Sequence, residues 1–319
     1  MKFTRLGRTS LQVSILGFGA STLGDEYGPI DLGDGIRAVH SAIDHGINYF
    51  DVSPYYGRTL AEERLGRALQ GKRDRVVLST KVGRYDRHLP GGFDFSAARV
   101  AQSVEESLRR LRTDRIDLLL AHDIEFGTRE QILGETLPAM RRLQEQGKVR
   151  YVGVTGFPLE MLTEVAVEGE VDAILSYCHY NLLNTRLETE LAPRAREHGI
   201  GLINASPLHM GVLTPEGPPP WHPAPPAVLE AAREAAVWCA AHGVNLSHLA
   251  LRFAIDQRDV ASTLVGMRSE AEVLANVRAI DTPPDAAALA AVRRLLSTVQ
   301  NIEWPSGLPE NNTPATSLP

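Results

Sequence analysis

The stretch GINYFDVSPYYGRTLAEERLGRAL, residues 46–69, decides the fold. It opens on a glycine of the kind that ends helices in left-handed geometry. INYFD (47–51) is an apolar run of strand length, VSPYYGRT carries turn residues, and residues 60–70 place apolar side chains at helical spacing. Strand, loop and helix then recur along the chain. Further strands are expected at 13–19, 76–81, 116–122, 151–155, 173–177, 201–206 and 262–266. Helices are expected at 34–45, 96–112, 129–146, 159–168, 187–198, 227–241 and 270–278, several ended by Gly147, Gly199 or Gly243. Ser96 suits the N-cap of its helix. Eight such units predict an α/β chain folded as a single closed (β/α)8 TIM barrel rather than an open sheet.

Outward from this repeat, FTRLGRTSLQVSIL (3–16) contains a glycine turn between alternating segments, so a hairpin plugging the barrel floor is expected. PLHMGVLTPEGPPPWHPAPP (207–226), after the seventh strand, is too proline-rich for regular structure and reads as a lid or pocket wall. Residues 245–257 add a helix before the eighth strand, and an extra C-terminal helix is expected at about 284–299. One barrel domain over 1–309 and a disordered polar tail over 310–319 complete the expectation.

With 43% hydrophobic and 23% charged residues, the 319-residue chain has ample core for one large barrel. Its net charge of −6 is spread without long blocks, which argues against nucleic acid or an anionic membrane as partner. Cys178 and Cys239 form neither a CxxC nor a metal-ligand cluster, so no metal is expected. No signal peptide or membrane-length apolar run is evident, so a cytoplasmic monomer or small homo-oligomer is the expectation.

Four residues carry the chemistry: Asp51 and Tyr56 in FDVSPYYG, Lys81 in VVLSTKVG, and His122 in IDLLLAHD. Asp51, Lys81 and His122 end the second, third and fourth barrel strands, and Tyr56 lies in the second loop. In this fold the active site gathers at that rim. A phenol ionises near ~10 in water and needs a nearby cation for acid–base work at neutral pH. Lys81 would supply that cation, Asp51 would keep it charged and aimed, and His122 would orient a reacting oxygen. The set suits hydride chemistry on a carbonyl or alcohol.

GINYFDVSPYYGRTLAEERLGRAL, LRRLRTDRIDLLLAHD (108–123) and GKVRYVGVTGF (147–157) resemble signatures of the aldo-keto reductase superfamily, and the resemblance runs from about residue 3 to 305. It implies Tyr56 as proton donor or acceptor, Lys81 as modulator of its pKa, Asp51 as partner of Lys81, and His122 as the carbonyl-orienting residue. It also implies a nicotinamide cofactor across the barrel mouth, bound without a GxGxxG loop. Thr155 stands where many members have a carboxamide-binding Ser-Asn pair, Tyr177 where they have glutamine, and Ala205 where an aromatic stacks on nicotinamide. Tyr177 could supply the ring face that Ala205 lacks. SPLHMGVL (206–213) resembles the pyrophosphate stretch, which implies Ser206, Leu208 and Gly211. VGMRSEAEVLAN (265–276) resembles the adenosine-side segment, which implies Gly266, Met267, Arg268, Glu272 and Asn276. Glu272 would repel a 2′-phosphate and Arg268 could pair with one. NAD is the expected cofactor, with NADP possible.

Within the superfamily, ILSYCHYNLLNT (174–185), the GPPPWHP loop and NIEWPSG (301–307) resemble the L-galactose and L-fucose (D-threo-aldose) 1-dehydrogenase branch. This implies oxidation of an aldose hemiacetal at C1 to a lactone. Sugars favour aromatic faces and scattered hydrogen-bonders, which makes Tyr55, His209, Trp221 and Trp304 candidate substrate contacts. Rival readings are an NADPH-dependent aldehyde or ketone reductase, a pyridoxal-type dehydrogenase, and a non-catalytic redox-sensing subunit.

Overall fold

The computed structural model describes residues 1–86, 91–283 and 285–312. Two short strands, β1 (Phe3–Arg5) and β2 (Gln12–Ser14), pair antiparallel. Eight parallel strands close the barrel: β3 (Leu16–Gly19), β4 (Tyr49–Asp51), β5 (Val77–Val82), β6 (Ile116–Ala121), β7 (Val149–Gly156), β8 (Ala173–Tyr177), β9 (Gly201–Ala205) and β10 (Val260–Gly266). The barrel shuts because β10 pairs with both β9 and β3.

Side chains alternate across each strand. Leu118, Leu120, Leu175, Ile203 and Leu264 fill the interior with Tyr49, while Leu119, Val152, Val154 and Ile174 pack outward on helices. The plug belongs to the interior group through Leu6, Leu11 and Val13. It covers the amino ends of the strands, where Thr4 donates to the Ala261 carbonyl (2.6 Å) and the Arg8 amide to Gly199 (2.8 Å). At Gly7 (φ +52°) a Cβ would lie 2.3 Å from the Gly201 nitrogen, so only glycine lets the turn approach that closely.

The single strand expected at 13–19 is two. At Ile15 the amide bonds to Lys2 in the plug, while the carbonyl accepts from Thr263 in the barrel. The apolar run conceals this break because both halves are buried. Ser96 caps its helix by accepting from the Arg99 amide, and Asp31, Thr128, Asn245, Ser269 and Asp285 do the same elsewhere. Each such cap is worth about 1 kcal/mol.

The 207–226 segment holds only a 3-10 turn at His209–Gly211. Beyond it, helices Pro226–Ala241, Leu246–Ile255 and Ala286–Leu296 bury Val228, Ala235, Leu249, Val292 and Leu296 together. Residues 301–312 then fold back toward the mouth. Leu308 donates its amide to the Glu125 carbonyl (2.8 Å), and Gly307 (φ +83°) presses so closely on that carbonyl that a Cβ would lie 2.2 Å from its oxygen. Residues 310–312, expected in the disordered tail, are held instead: the Asn311 amide donates to Glu125 and Gly127 carbonyls, and Asn312 accepts from the Ser306 amide. The rest of that tail, 313–319, lies outside the described residues. Among the described residues, no helix is long and apolar enough to cross a membrane.

Candidate active site

Alternation along β5 sends Ser79 and Lys81 inward, while Thr80 faces out and donates to Glu62 (2.6 Å). Asp51 is in register with Ser79, and Val82 with Ala121, so His122 emerges one residue past the rim. Lys81 is 1% exposed and Asp51 3%. The ammonium donates to both Asp51 oxygens, to the Val52 carbonyl (3.0 Å) and to the Tyr56 hydroxyl (3.3 Å). Neither charge could stay buried without the other. The four expected residues are therefore assembled at one mouth of the barrel.

Electrostatics at this mouth differ from the expectation. Burial pushes the Tyr56 phenol well above its ordinary range, Asp51 and Asp123 push further, and Arg84 acts against them. Lys81 does not by itself bring the phenol toward neutrality, because the Asp51 carboxylate lies against the same ammonium. Tyr56 therefore holds its proton at neutral pH. Burial, then Lys81 and Arg84, drive His122 well below its usual range, so the imidazole is neutral.

Ser53 bonds the inner nitrogen of that imidazole. The Ser53 hydroxyl accepts from the Tyr55 amide (3.1 Å) and lies 3.1 Å from His122 Nδ1. With its hydroxyl proton turned to Nδ1, Ser53 would leave the ring hydrogen on Nε2, the nitrogen that would meet a reacting oxygen. Ser53→Ala is expected to lower kcat about tenfold, the value of roughly one hydrogen bond, with threonine restoring part of it. An unchanged kcat in steady-state assays would show that the tautomer needs no such help.

A second ion pair flanks the first. Asp123 follows His122 at φ +51° and is 2% exposed. Arg84 donates to Asp123 Oδ2 and to the Tyr55 hydroxyl (3.0 Å), with its guanidinium 3.8 Å from the Tyr55 ring centre. The same Asp123 oxygen is 3.8 Å from His122 Nε2. Ser53, Arg84 and Asp123 were not among the expected residues. Each sits at or just beyond a strand end, the one signal that could have found them.

The cofactor candidates follow the rim around. Thr155 lies inside the mouth end of β7, and its hydroxyl makes no hydrogen bond among the described residues; nor does the amide of half-buried Asn276. Asn276 lies one helical turn beyond Glu272 in Glu270–Asp281, on the same face. Tyr177 and Ala205 are in register on β8 and β9, so the ring stands beside the position that lacks one. Ser206 (φ 58°) and Gly211 (φ +100°) bend the loop after β9, with half-buried Leu208 between them. Gly266 is exposed at the end of β10. Met267, next to Gly266, is fully buried with its side chain in the core, and its carbonyl accepts from Thr22 (2.9 Å). Free polar groups at Thr155 and Asn276, with glycines between, fit an extended dinucleotide. Among the described residues no cluster could hold a metal ion.

An aromatic wall stands on the other side. Trp304 stacks on Phe157 (4.6 Å), which contacts Tyr177 (5.4 Å) and His179 (4.6 Å). His209 and His222 meet the Trp304 ring at 5.5 and 5.4 Å. Burial drives His209 down to about 3, so it is neutral, and Asn181 donates to its Nδ1 (3.1 Å). Trp221, 46% exposed, reaches Tyr27 at 5.8 Å, so the proline-rich loop touches the segment after β3. Cys178 and His179 are buried, and His179 faces Glu303 at 3.2 Å.

Comparison with known proteins agrees with this geometry. The profile described as the aldo/keto reductase family matches residues 15–297. L-galactose dehydrogenase of Arabidopsis thaliana is 45% identical over 316 residues, covering 96% of this chain and 98% of its own. D-threo-aldose 1-dehydrogenase of a Pseudomonas species is 30% identical over 316 residues, covering 90% and 96%. The holo form of an aldo-keto reductase from Bacillus halodurans superposes with a TM-score of 0.78 at 28% identity, covering 98% of this chain and 100% of that one.

Proposed function

The chain belongs to the aldo/keto reductase family of nicotinamide-dependent oxidoreductases, and on that premise we propose that it oxidises an aldose at C1 to a lactone with NAD. The observation that carries the reading is the Tyr56 hydroxyl 3.3 Å from the ammonium of Lys81, which Asp51 holds. The names of the Arabidopsis and Pseudomonas relatives support the aldose class.

The bound nicotinamide supplies the hydride acceptor. In its phenolate form, Tyr56 takes the proton of the C1 hydroxyl as the carbon gives up its hydride, and the C1–O bond becomes a carbonyl. His122 Nε2–H hydrogen-bonds the same oxygen and fixes its position. Thr155 and Tyr177 would hold the nicotinamide end, Ser206, Leu208 and Gly211 the pyrophosphate, and Gly266, Arg268, Glu272 and Asn276 the adenosine end. Tyr55, Trp304, Trp221 and His209 would wall the sugar. Run backwards, the site reduces a carbonyl, and a phenol that keeps its proton at neutral pH favours that direction there. Oxidation is correspondingly favoured as pH rises.

The preference for NAD rests on an ion pair. Glu272 accepts from the Arg268 amide (2.7 Å) and lies 3.2 Å from its guanidinium, whose other nitrogen donates to the Tyr27 carbonyl (3.3 Å). The arginine is thus occupied, and the carboxylate repels a 2′-phosphate while accepting from a 2′-hydroxyl. Glu272→Gln is expected to shift kcat/KM toward NADP by about tenfold at low salt, where exposed charges act most strongly. An unchanged ratio would place Glu272 away from the ribose.

The test is a turnover panel of L-galactose, L-fucose, D-arabinose and pyridoxal, each with NAD and NADP, followed by nicotinamide absorbance. Turnover of an aldose with NAD is the expected outcome. Pyridoxal turnover without any aldose turnover, or tight nicotinamide binding with none at all, overturns the reading.

A further inference from the structure

We propose that Asp123, held by Arg84 beside His122, is the residue that reads the hydroxyl next to the reacting carbon, so that the enzyme selects 2-hydroxylated aldoses. The inference rests on the aldose reading above and adds to it the group by which the sugar is recognised.

The geometry begins at His122. Its Nε2 carries the hydrogen that meets the C1 oxygen, and Asp123 Oδ2 lies 3.8 Å from that nitrogen. Two gauche vicinal hydroxyl oxygens are about 2.8 Å apart, the spacing of a hydrogen-bonded pair. An imidazole donor and a carboxylate acceptor side by side therefore match O1 and O2 of a sugar, one rung each. The opposite polarity matters: O1 must receive a hydrogen bond while it turns into a carbonyl, whereas O2 keeps its proton and can donate it.

The carboxylate is also free to act. Its ionic contacts with Arg84 and His122 both fall on Oδ2, and Oδ1 makes no hydrogen bond among the described residues. Arg84 sets its guanidinium against this almost fully buried carboxyl group, and its Nε is buried without a partner. That guanidinium also spans to the Tyr55 ring, so the pair is continuous with an aromatic face. Carboxylate, guanidinium and ring together suit a polyhydroxylated substrate and suit an apolar alcohol poorly. The backbone points the same way: Asp123 adopts left-handed geometry, which asparagine and aspartate tolerate best among side-chain-bearing residues.

The experiment compares an aldose that turns over with its 2-deoxy analogue, L-galactose with 2-deoxy-L-galactose or L-fucose with 2-deoxy-L-fucose. Removing a hydroxyl that donates to a buried carboxylate is expected to lower kcat/KM by about 30- to 100-fold in the native enzyme. Asp123→Asn, which keeps shape and backbone preference, is expected to lower turnover of the parent sugar and shrink that ratio to within about fivefold. NAD binding, read by fluorescence titration, should stay within a few-fold of native and reports that the variant is folded. Equal use of both sugars by the native enzyme overturns the proposal even if the variant cannot be made. An undiminished ratio in folded Asp123→Asn overturns it as well, while leaving aldose oxidation standing. Absence of turnover with every aldose removes both readings together.

Discussion

Tyr56→Phe is expected to reduce aldose oxidation by about 10³-fold while NAD binding stays within a few-fold of native. The change deletes one oxygen, the atom 3.3 Å from the Lys81 ammonium, and leaves the ring and its edge contact with His122 (5.8 Å) in place. Positioned proton transfer is worth about 10²–10⁴ in rate, and Tyr56 carries the ionisable oxygen that lies against the Lys81 ammonium. The native pH profile provides a second check. Because burial and two carboxylates hold the phenol proton well above its ordinary range, oxidation should accelerate as pH rises through the alkaline region. In the phenylalanine variant the residual rate should lose that dependence. Substantial turnover in the variant, or an unchanged profile, would remove Tyr56 from its role.

Lys81→Met should cost both folding stability and catalysis. Asp51 is buried at the mouth, and its carboxyl is pushed up by burial and held back by Lys81. Without the cation it must either remain charged and unpaired or take up a proton, at a cost of about 3–5 kcal/mol in denaturant melts. Activity should fall by at least about 10²-fold, since the phenol loses its only ammonium neighbour. The double variant Lys81→Met with Asp51→Asn separates the two effects. Stability should largely return because no uncompensated charge remains, whereas activity should not. Recovery of turnover in the double variant would show that the pair serves folding alone.

The barrel was readable from the sequence because its period is carried by local pattern. Runs such as LLLA in IDLLLAH and AIL in AILSY are apolar on both faces, as strands sealed between an interior and a ring of helices must be. The gathering of Asp51, Tyr56, Lys81 and His122 was legible for a related reason: three of them terminate those runs, and the barrel brings all strand ends to one rim. What the pattern could not carry was anything decided between loops. Arg84 and Asp123 are far apart in sequence, and their ion pair exists only because β5 and β6 are neighbours. The Ser53–His122 hydrogen bond likewise joins a hydroxyl and a ring from different loops. The closeness of Lys81 to Tyr56 was legible, whereas the burial that raises the phenol, with Asp51 and Asp123 adding to it, was not. The core burial of Met267 was not legible, because a motif fixes a backbone position without fixing which way the side chain turns. The break at Ile15 was hidden by burial on both sides of it.

The clamp of Gly307 on the Glu125 carbonyl has a practical side. Glu125 comes two residues after Asp123, so the closing stretch of the polypeptide is fastened almost directly to the loop that would choose the sugar. Trimming the carboxyl end ahead of Ser306, or placing a bulky residue at 307, would disturb selectivity rather than merely shorten the protein. An affinity handle is better joined ahead of Met1, on the plugged face, with the whole length of the barrel between it and the chemistry.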